Sequence, residues 1–196
     1  EILHAYSNKD TETGYYQGMA FLAAILLVYL DEVQAFWCFV NLMNGPKLQF
    51  RRLFIYKFSG LNELNLLWEK LLALKFAKVA HNLCVEKIDP ILYTPAWFLC
   101  SYLSLPFEPT LKLRIFDRTL MFGARALLSF GLTIIALNKK LLETEKAPKI
   151  LLYLQHPDEH ESFKDWRNVI SKFDELWLSQ SDYDKLFKIT NIPKFF

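Results

Sequence analysis

The hydrophobic and polar positions of this chain follow a helical period almost from end to end. Residues 61–74 give the clearest case, because their large apolar side chains recur three and four positions apart and so share one helical face. Alternating segments of the kind that form strands are hard to find. We therefore predict an all-α fold without a β-sheet. The remaining predicted helices are 19–30, a helix between 31 and 44, 48–58, 77–87, 96–103, 111–121, 124–142, 149–155, 163–179 and 183–189.

Several helix ends are predicted from single residues. Asp31, followed by Gln34, forms a capping-box pattern at the start of one helix. Thr110 is predicted to cap the helix at 111–121, and Gly123 to end it. The dipeptide at 59–60, Ser-Gly, is expected to interrupt the helical pattern there.

The apolar run at 19–30 predicts a buried helix, since it is hydrophobic nearly all round. It falls short of the roughly 20 residues that span a bilayer, so no transmembrane segment is predicted.

Composition indicates one folded domain covering residues 1–196. The chain is 53% hydrophobic and 16% aromatic, which excludes a disordered segment. A net charge of +2 argues against a nucleic-acid surface, and the six glycines form no phosphate-binding loop. Residues 145–196 are more charged and amphipathic, which is typical of helices at the rim of a bundle, so we expect them to pack more loosely.

The cysteines and histidines predict neither a disulfide framework nor a metal site. No two of the three cysteines, Cys38, Cys84 and Cys100, have C-x-x-C spacing, which favours reduced thiols in the cytosol. His156 and His160 are four residues apart, but a proline between them indicates a loop, and two ligands alone do not make a zinc site.

The stretch GYYQGM at 14–19 is the most unusual local feature. It places Gln17 between two glycines, just before an apolar helix. A glutamine amide both donates and accepts hydrogen bonds without titrating, so it could orient a water or a phosphate oxygen. Taken alone, the feature equally fits a glutamine that only solvates or caps the first helical turn. A second cluster holds Arg114, Asp117 and Arg118, in which Asp117 could form an ordinary ion pair with either arginine. The i, i+3 spacing of Arg114 and Asp117 brings those two close enough on a helix to meet.

Four ordered segments together resemble TBC domains, the GTPase-activating modules for Rab proteins. They are GYYQGMAFLAA at 14–24, AFW at 35–37, YTPAWFL at 93–99 and LRIFD at 113–117. The first resembles the family's Y-x-Q-G-M block and the last its R-I-W-D block. The resemblance runs from about residue 2 to residue 142, whereas residues 145–196 match only as a helical tail of the same domain.

This resemblance implies an all-α domain of many short helices and a dual-finger mechanism, in which an Arg and a Gln are supplied in trans to the GTPase. The family's Gln maps onto Gln17, which would replace the GTPase's own water-positioning Gln. The partner would be a GTP-bound Rab that itself binds GTP and Mg²⁺, so this chain needs no cofactor and no metal. Membrane contact would be indirect, through the lipid-anchored Rab, which implies a cytoplasmic protein, peripheral on endomembranes and acting in vesicle traffic.

Other motif residues are expected to contact the GTPase or to frame the site. They are Tyr15, Gly18, Trp37, Arg114 and Asp117. Tyr15, Trp37, Arg114 and Asp117 are interpreted mainly as framework, so Gln17 is the single catalytic assignment.

The chain also departs from the family pattern. The family's Arg stands in an I-x-x-D-x-x-R block before Y-x-Q, and none of the six arginines here has that context, so we expect the domain to be N-terminally incomplete. Ala96 replaces a Gln common before W-F, Phe116 replaces the Trp of R-I-W-D, and the residues before Gly123 lack the usual acidic one.

Two functions follow from these observations. The first is a GTPase-activating protein that uses Gln17 and an Arg from an upstream segment. The alternative is a catalytically weak or inactive TBC-fold module that binds Rab or trafficking proteins as a scaffold. An all-α scaffold unrelated to GTPases would require four ordered motif matches to arise by chance.

Overall fold

The computed structural model describes residues 1–46 and 48–192, and within them every regular element is helical. The all-α prediction is confirmed. The helices are α1 (Ile2–Lys9), α2 (Met19–Leu27), α3 (Glu32–Asn44), α4 (Arg51–Lys75), α5 (Ala77–Val85), α6 (Pro109–Phe122), α7 (Ala124–Leu137), α8 (Lys139–Thr144), α9 (Ala147–Gln155), α10 (Trp166–Glu175) and α11 (Gln180–Thr190). Short 3₁₀ turns cover Pro90–Leu92, Pro157–Glu159 and Glu161–Phe163, and a π-helical turn covers Pro95–Leu99.

The core is built around α7, which is buried over most of its length. It packs against α6 and α10, and also against α4 and the π-helical turn. An aromatic cluster fills the space between α4 and that turn: Trp68 donates a hydrogen bond from its indole N–H to the hydroxyl of Tyr93 at 2.8 Å, and its ring lies edge-on to Trp97. Gly131 of α7 faces Trp68, and a Cβ there would lie 2.8 Å from the Trp68 ring. Residue 131 must therefore lack a side chain for α7 to approach α4.

The predicted buried helix at 19–30 is shorter and less buried than expected. α2 ends at Leu27, and Phe21, Leu27, Val28 and Tyr29 are exposed. Its other face packs on α1 and α3 through Met19 and Leu22. The sequence was apolar on both faces, but only one face has a neighbouring helix to cover it.

Two of the helix ends predicted from single residues are confirmed, and one is wrong. Asp31 caps α3 by accepting a hydrogen bond from the backbone N–H of Gln34 at 2.8 Å, and Gly123 separates α6 from α7, as predicted. The prediction for Thr110 is wrong: Glu108 caps α6 by accepting a bond from the N–H of Leu111 at 3.2 Å. The Thr110 hydroxyl donates to the same Glu108 carboxylate instead, since Pro109 already occupies the first helical position.

Three other predicted segments also differ from the observed helices. The helix expected at 124–142 breaks at Asn138 into α7 and α8. In α4 the interruption lies at residues 55–58, before the predicted one, and residues 56–58 adopt left-handed φ values. Gly60 allows the chain to fold back there, because a Cβ would lie 2.5 Å from the carbonyl oxygen of Arg52. In place of the helix predicted at 96–103, the structure has the π-helical turn and the bends that follow it.

The C-terminal helices are amphipathic, as predicted, but they are firmly packed. Val169 and Phe173 of α10 are fully buried, and the Phe173 ring lies 5.1 Å from that of Phe130 in α7. α11 packs on α4 and buries Tyr183 and Leu186. The expectation of looser packing is therefore wrong for α10 and α11. The last residues of the predicted 145–196 segment, 193–196, lie outside the described residues, and no described helix is long and apolar enough to cross a membrane.

Candidate functional site

The turn after α1 leads to Gln17 and is organised around the carboxylate of Asp10. Asp10 accepts hydrogen bonds from the backbone N–H of Thr13 at 3.2 Å and from the Thr13 hydroxyl at 2.7 Å. It also accepts one from the hydroxyl of Tyr6 at 2.9 Å. When an aspartate side chain accepts hydrogen bonds from residues that follow it in the chain, these bonds take the place of helical backbone bonds and fix a turn.

Arg51, at the start of α4, binds the same turn from outside. Its guanidinium donates from Nε to Asp10 Oδ2 at 2.6 Å and from Nη2 to Asp10 Oδ1 at 3.2 Å. Nη2 also donates to Glu12 Oε2 at 2.6 Å. The Arg51 and Asp10 side chains are only 23% and 13% exposed, so solvent screens this bidentate pair weakly. The pair ties the loop before Gln17 to α4.

These contacts shift the pKa values of the groups that make them. Burial alone would raise the pKa of Asp10, but hydrogen bonds from Arg51 and Thr13 outweigh it and hold that pKa well below its usual range. The bond to Asp10 raises the pKa of Arg51. Burial raises the pKa of Tyr6 to about 12. At neutral pH the cluster therefore consists of a carboxylate, a guanidinium and a neutral phenol.

Gln17 lies in a tight turn immediately before α2. The backbone N–H of Met19 donates to the carbonyl oxygen of Tyr16 at 3.2 Å and closes this turn. Gly18 is the third residue of the turn and has φ +108°, a value that side-chain-bearing residues rarely adopt. A Cβ on Gly18 would also lie 3.1 Å from Sγ of Cys100. Both facts explain why a glycine follows Gln17.

The Gln17 side chain is exposed, and it makes no hydrogen bond with any residue in the described ranges. Its amide is therefore free to donate and accept toward a partner. No side-chain cap hydrogen bond forms at the start of α2, so the capping role considered for Gln17 is not formed, whereas a purely solvating role and a catalytic one both fit its exposed side chain. Its neighbour Tyr16 is anchored instead, with its ring 5.4 Å from Phe58 and 6.0 Å from Phe54.

A pocket of about 520 Å³ lies beside Gln17. It brings two of the predicted motifs together, because Gln17 and Gly18 form one wall while Ala96 and Leu99, from the π-helical turn, form another. Phe58 of α4 also lines it. The sequence placed these segments in order but did not indicate that they meet.

Tyr15 and Trp37 are surface residues, 55% and 56% exposed. Trp37 lies on α3, with its ring against Phe36 and the ammonium of Lys9 5.4 Å from its centroid. Both side chains are open to solvent in the free chain, and whether they contact the GTPase or frame the site stays a prediction.

Arg114 and Asp117 are exposed on α6 and do not line the pocket that holds Gln17. The ion pair expected between them is not formed among the described residues. Arg118 makes the ion pair of this helix instead, reaching Asp174 of α10 at 2.5 Å, because α6 packs against α10. How Arg114 and Asp117 take part in the site stays a prediction.

Other arginines are engaged in packing contacts. Arg52 pairs with Glu63 at 2.9 Å, and Arg125 bonds to Gln180 at 2.9 Å while stacking on Trp177. Arg51 is the site-related residue that sequence reasoning missed. Its partner Asp10 is 41 residues away, and no local pattern indicates so distant a pair.

No group of three or more potential metal ligands occurs in the part of the chain that the structure describes. His160 bonds through Nδ1 to the hydroxyl of Ser162 at 2.8 Å, within the short 3₁₀ turns that form the predicted loop. Cys38 and Cys84 are exposed free thiols, and Cys100 is a buried one.

Comparison with known proteins gives consistent matches. The model of the Rab-GTPase-TBC domain family matches residues 1–142. Carabin of Mus musculus is 34% identical over 155 residues, which cover 75% of this chain and 32% of Carabin. The GTPase-activating protein GYP5 of Saccharomyces cerevisiae is 30% identical over 156 residues, covering 79% of this chain and 17% of GYP5. This chain thus spans about a third or less of the length of these curated relatives.

Among solved structures, the crystal structure of the Ypt/Rab-GAP domain of Gyp1p matches with a TM-score of 0.70 at 18% identity, covering 93% of this chain and 64% of that one. At that identity the match shows the fold alone. The family model extends over residues 1–142, close to the extent of the sequence resemblance, and it includes the Gln17 turn and both walls of its pocket. The chain belongs to the Rab-GTPase-TBC domain family.

Proposed function

We propose that this chain accelerates GTP hydrolysis by a Rab-type small GTPase, and that Gln17 orients the attacking water. The observation that carries the proposal is the Gln17 side chain itself, exposed on a closed turn and free of hydrogen bonds to the described residues. Relatives named as GTPase-activating proteins support the activity class.

In the proposed mechanism the chain adds groups to a site that the partner provides. The GTPase holds GTP and Mg²⁺, and its γ-phosphate faces the Gln17 turn. The Gln17 carbonyl oxygen accepts a hydrogen bond from the attacking water, while its NH₂ donates to a phosphate oxygen. Because the amide does not titrate, it positions the water and does not remove its proton. Gly18 and the clamp of Arg51 on Asp10 hold the turn, so little ordering is needed when the partner arrives.

An arginine would complete the proposed site by stabilising charge on the transferring phosphoryl group, a contribution on the order of 10³–10⁵ in rate. Arg51 is poorly suited to that role, since two carboxylates already hold its guanidinium. We therefore propose that the arginine comes from a segment upstream of Gln17 and outside residues 1–196. The site of action would be the cytoplasmic face of endomembranes, where a lipid-anchored Rab holds the complex.

The test is single-turnover GTP hydrolysis by a panel of Rab proteins, with the domain carrying its native N-terminal extension. One Rab should be accelerated, and Gln17→Ala should reduce the acceleration on the order of 10²-fold or more, the usual cost of losing one transition-state group. Gln155→Ala serves as the control, because Gln155 is an exposed glutamine on α9 that does not line the pocket. Its amide donates to the carbonyl oxygen of Leu92 at 2.8 Å, so thermal unfolding checks that this variant folds. If a Rab binds in its GTP state but is not accelerated, the chain is a binding module and the proposal is wrong.

A further inference from the structure

The pocket beside Gln17 has features that water positioning does not require. Its volume is about 520 Å³, and its lining includes the apolar residues Phe21, Phe58, Pro95 and Leu99. No Asp, Glu, Lys or Arg side chain lines it. Phe21 is 41% exposed, so part of this apolar surface faces solvent in the free chain.

Ala96 keeps the pocket open. It is partly exposed and contributes only a methyl group to the wall, while the next two residues, Trp97 and Phe98, are fully buried. The Trp97 indole donates to the carbonyl oxygen of Leu154 at 3.1 Å, which fixes the turn that carries Ala96. This wall is therefore anchored to the core, and a larger residue 96 would narrow the pocket.

We infer that this pocket receives one large aliphatic or aromatic side chain of the GTPase, which enters as the GTPase presents its nucleotide to Gln17. This inference rests on the proposed function. A partner that reaches Gln17 must also cover the pocket mouth, because Gln17 and Gly18 are part of the pocket wall. An apolar side chain gains from leaving water there, whereas a charged one would find no opposite charge.

The position of the pocket determines whether it affects association or the maximal rate of hydrolysis. In the proposed complex an apolar side chain in the pocket contacts the pocket wall and not the reacting groups, so we expect it to contribute equally to binding and to the transition state. Narrowing the pocket should therefore weaken association and leave the maximal rate of the bound complex nearly unchanged. Ala96 would thus act on partner selection, whereas Gln17 acts on the chemical step.

The test compares Ala96→Leu, which narrows the pocket, with Ala73→Leu, which adds the same volume on the exposed face of α4. Single-turnover hydrolysis is measured against increasing domain concentration, with the Rab that responds to the wild type. Ala96→Leu should raise the half-saturating concentration about tenfold or more and change the maximal rate by less than about threefold. Ala73→Leu should change neither, and thermal unfolding checks that both variants fold.

A wild type that accelerates hydrolysis together with an unaffected Ala96→Leu variant would overturn the pocket inference and leave the proposed function intact. A wild type that accelerates no Rab would instead overturn the proposed function. The two failures are therefore distinguishable.

Thiol labelling gives a readout that does not depend on hydrolysis. An Ala96→Cys variant in a Cys38→Ser background places a thiol in the pocket and removes the exposed cysteine next to Trp37, and Cys84 on α5 stays as an exposed internal reference. Binding of a Rab loaded with a non-hydrolysable GTP analogue should slow maleimide labelling of the new cysteine at least fivefold and leave Cys84 unchanged. Equal labelling rates with and without bound Rab would contradict the inference. The inference would also be wrong if labelling slowed as the domain concentration rose without Rab, because a second copy of this chain would then cover the pocket.

Discussion

Arg51 and Asp10 are joined by two hydrogen bonds, of 2.6 and 3.2 Å, although 41 residues separate them. The pair fastens the turn before Gln17 to the first residue of α4. It does so with a charge-assisted bidentate contact that is mostly shielded from solvent. The geometry of the candidate site therefore depends on a residue that does not itself line the pocket.

Replacing Arg51 with Met should lower the free energy of unfolding by about 2–3 kcal/mol, because Asp10 would be left as a largely buried and incompletely paired charge. Chemical denaturation measures the change. Lys149→Met is the control, since it removes an exposed pair with Glu145 and should cost no more than about 0.5 kcal/mol. Equal effects of the two substitutions would show that the Arg51 clamp adds no stability.

Asp10 predicts how stability depends on pH. Its pKa is held below the usual range in the folded chain, so the folded state binds this proton less readily than the unfolded state does. The resulting stability is fully present above the ordinary carboxylate pKa of about 4 and is lost as the pH falls below it. Denaturation between pH 6 and pH 2 should show a steeper loss for the wild type than for Asp10→Asn, and parallel curves would contradict this assignment.

Two glycines near Gln17 should respond differently to alanine. Gly14 has φ +65° and open space around it, so Gly14→Ala should cost about 1 kcal/mol for the left-handed conformation alone. Gly18 has φ +108° and faces Cys100, so Gly18→Ala should cost about 2–3 kcal/mol and also reduce GTPase activation. Chemical denaturation and single-turnover hydrolysis compare the two variants. Equal stability losses and equal activation would show that the turn at Gly18 rearranges easily.

Trp37 should matter for the partner more than for the fold. It is 56% exposed, so Trp37→Ala should lower the free energy of unfolding by less than about 1 kcal/mol while raising the half-saturating concentration in the hydrolysis assay. Trp97→Ala is the contrasting variant, because Trp97 is fully buried and its loss should cost about 3–5 kcal/mol. A large stability loss at Trp37 would support the framework role first expected from the sequence.

The buried bond between Trp68 and Tyr93 should be sensitive to loss of one hydroxyl. Tyr93→Phe leaves the indole N–H of Trp68 without its partner in a site that excludes water, which should cost about 1–3 kcal/mol. Tyr29→Phe removes an exposed hydroxyl and should change stability by less than about 0.5 kcal/mol. Urea denaturation of both variants gives the comparison, and a neutral Tyr93→Phe would mean that the indole finds another acceptor.

The sequence by itself determined the features that depend on near neighbours in the chain. Helical periodicity gave the all-α class, and the cap of Asp31 on Gln34 spans only three residues. The ordered motifs identified the family and singled out Gln17. These signals are local, since a helix period or a cap is complete within one or two turns.

Tertiary structure decided what depends on residues far apart. Apolar residues in α2 marked it as hydrophobic, but only the placement of α1 and α3 determined which face was covered and left Phe21 exposed. No local sequence pattern indicates that Arg51 pairs with Asp10, or that Ala96 and Gln17 line the same pocket. Such contacts arise when helices pack, because packing brings together side chains whose separation along the chain carries no information about their distance in space.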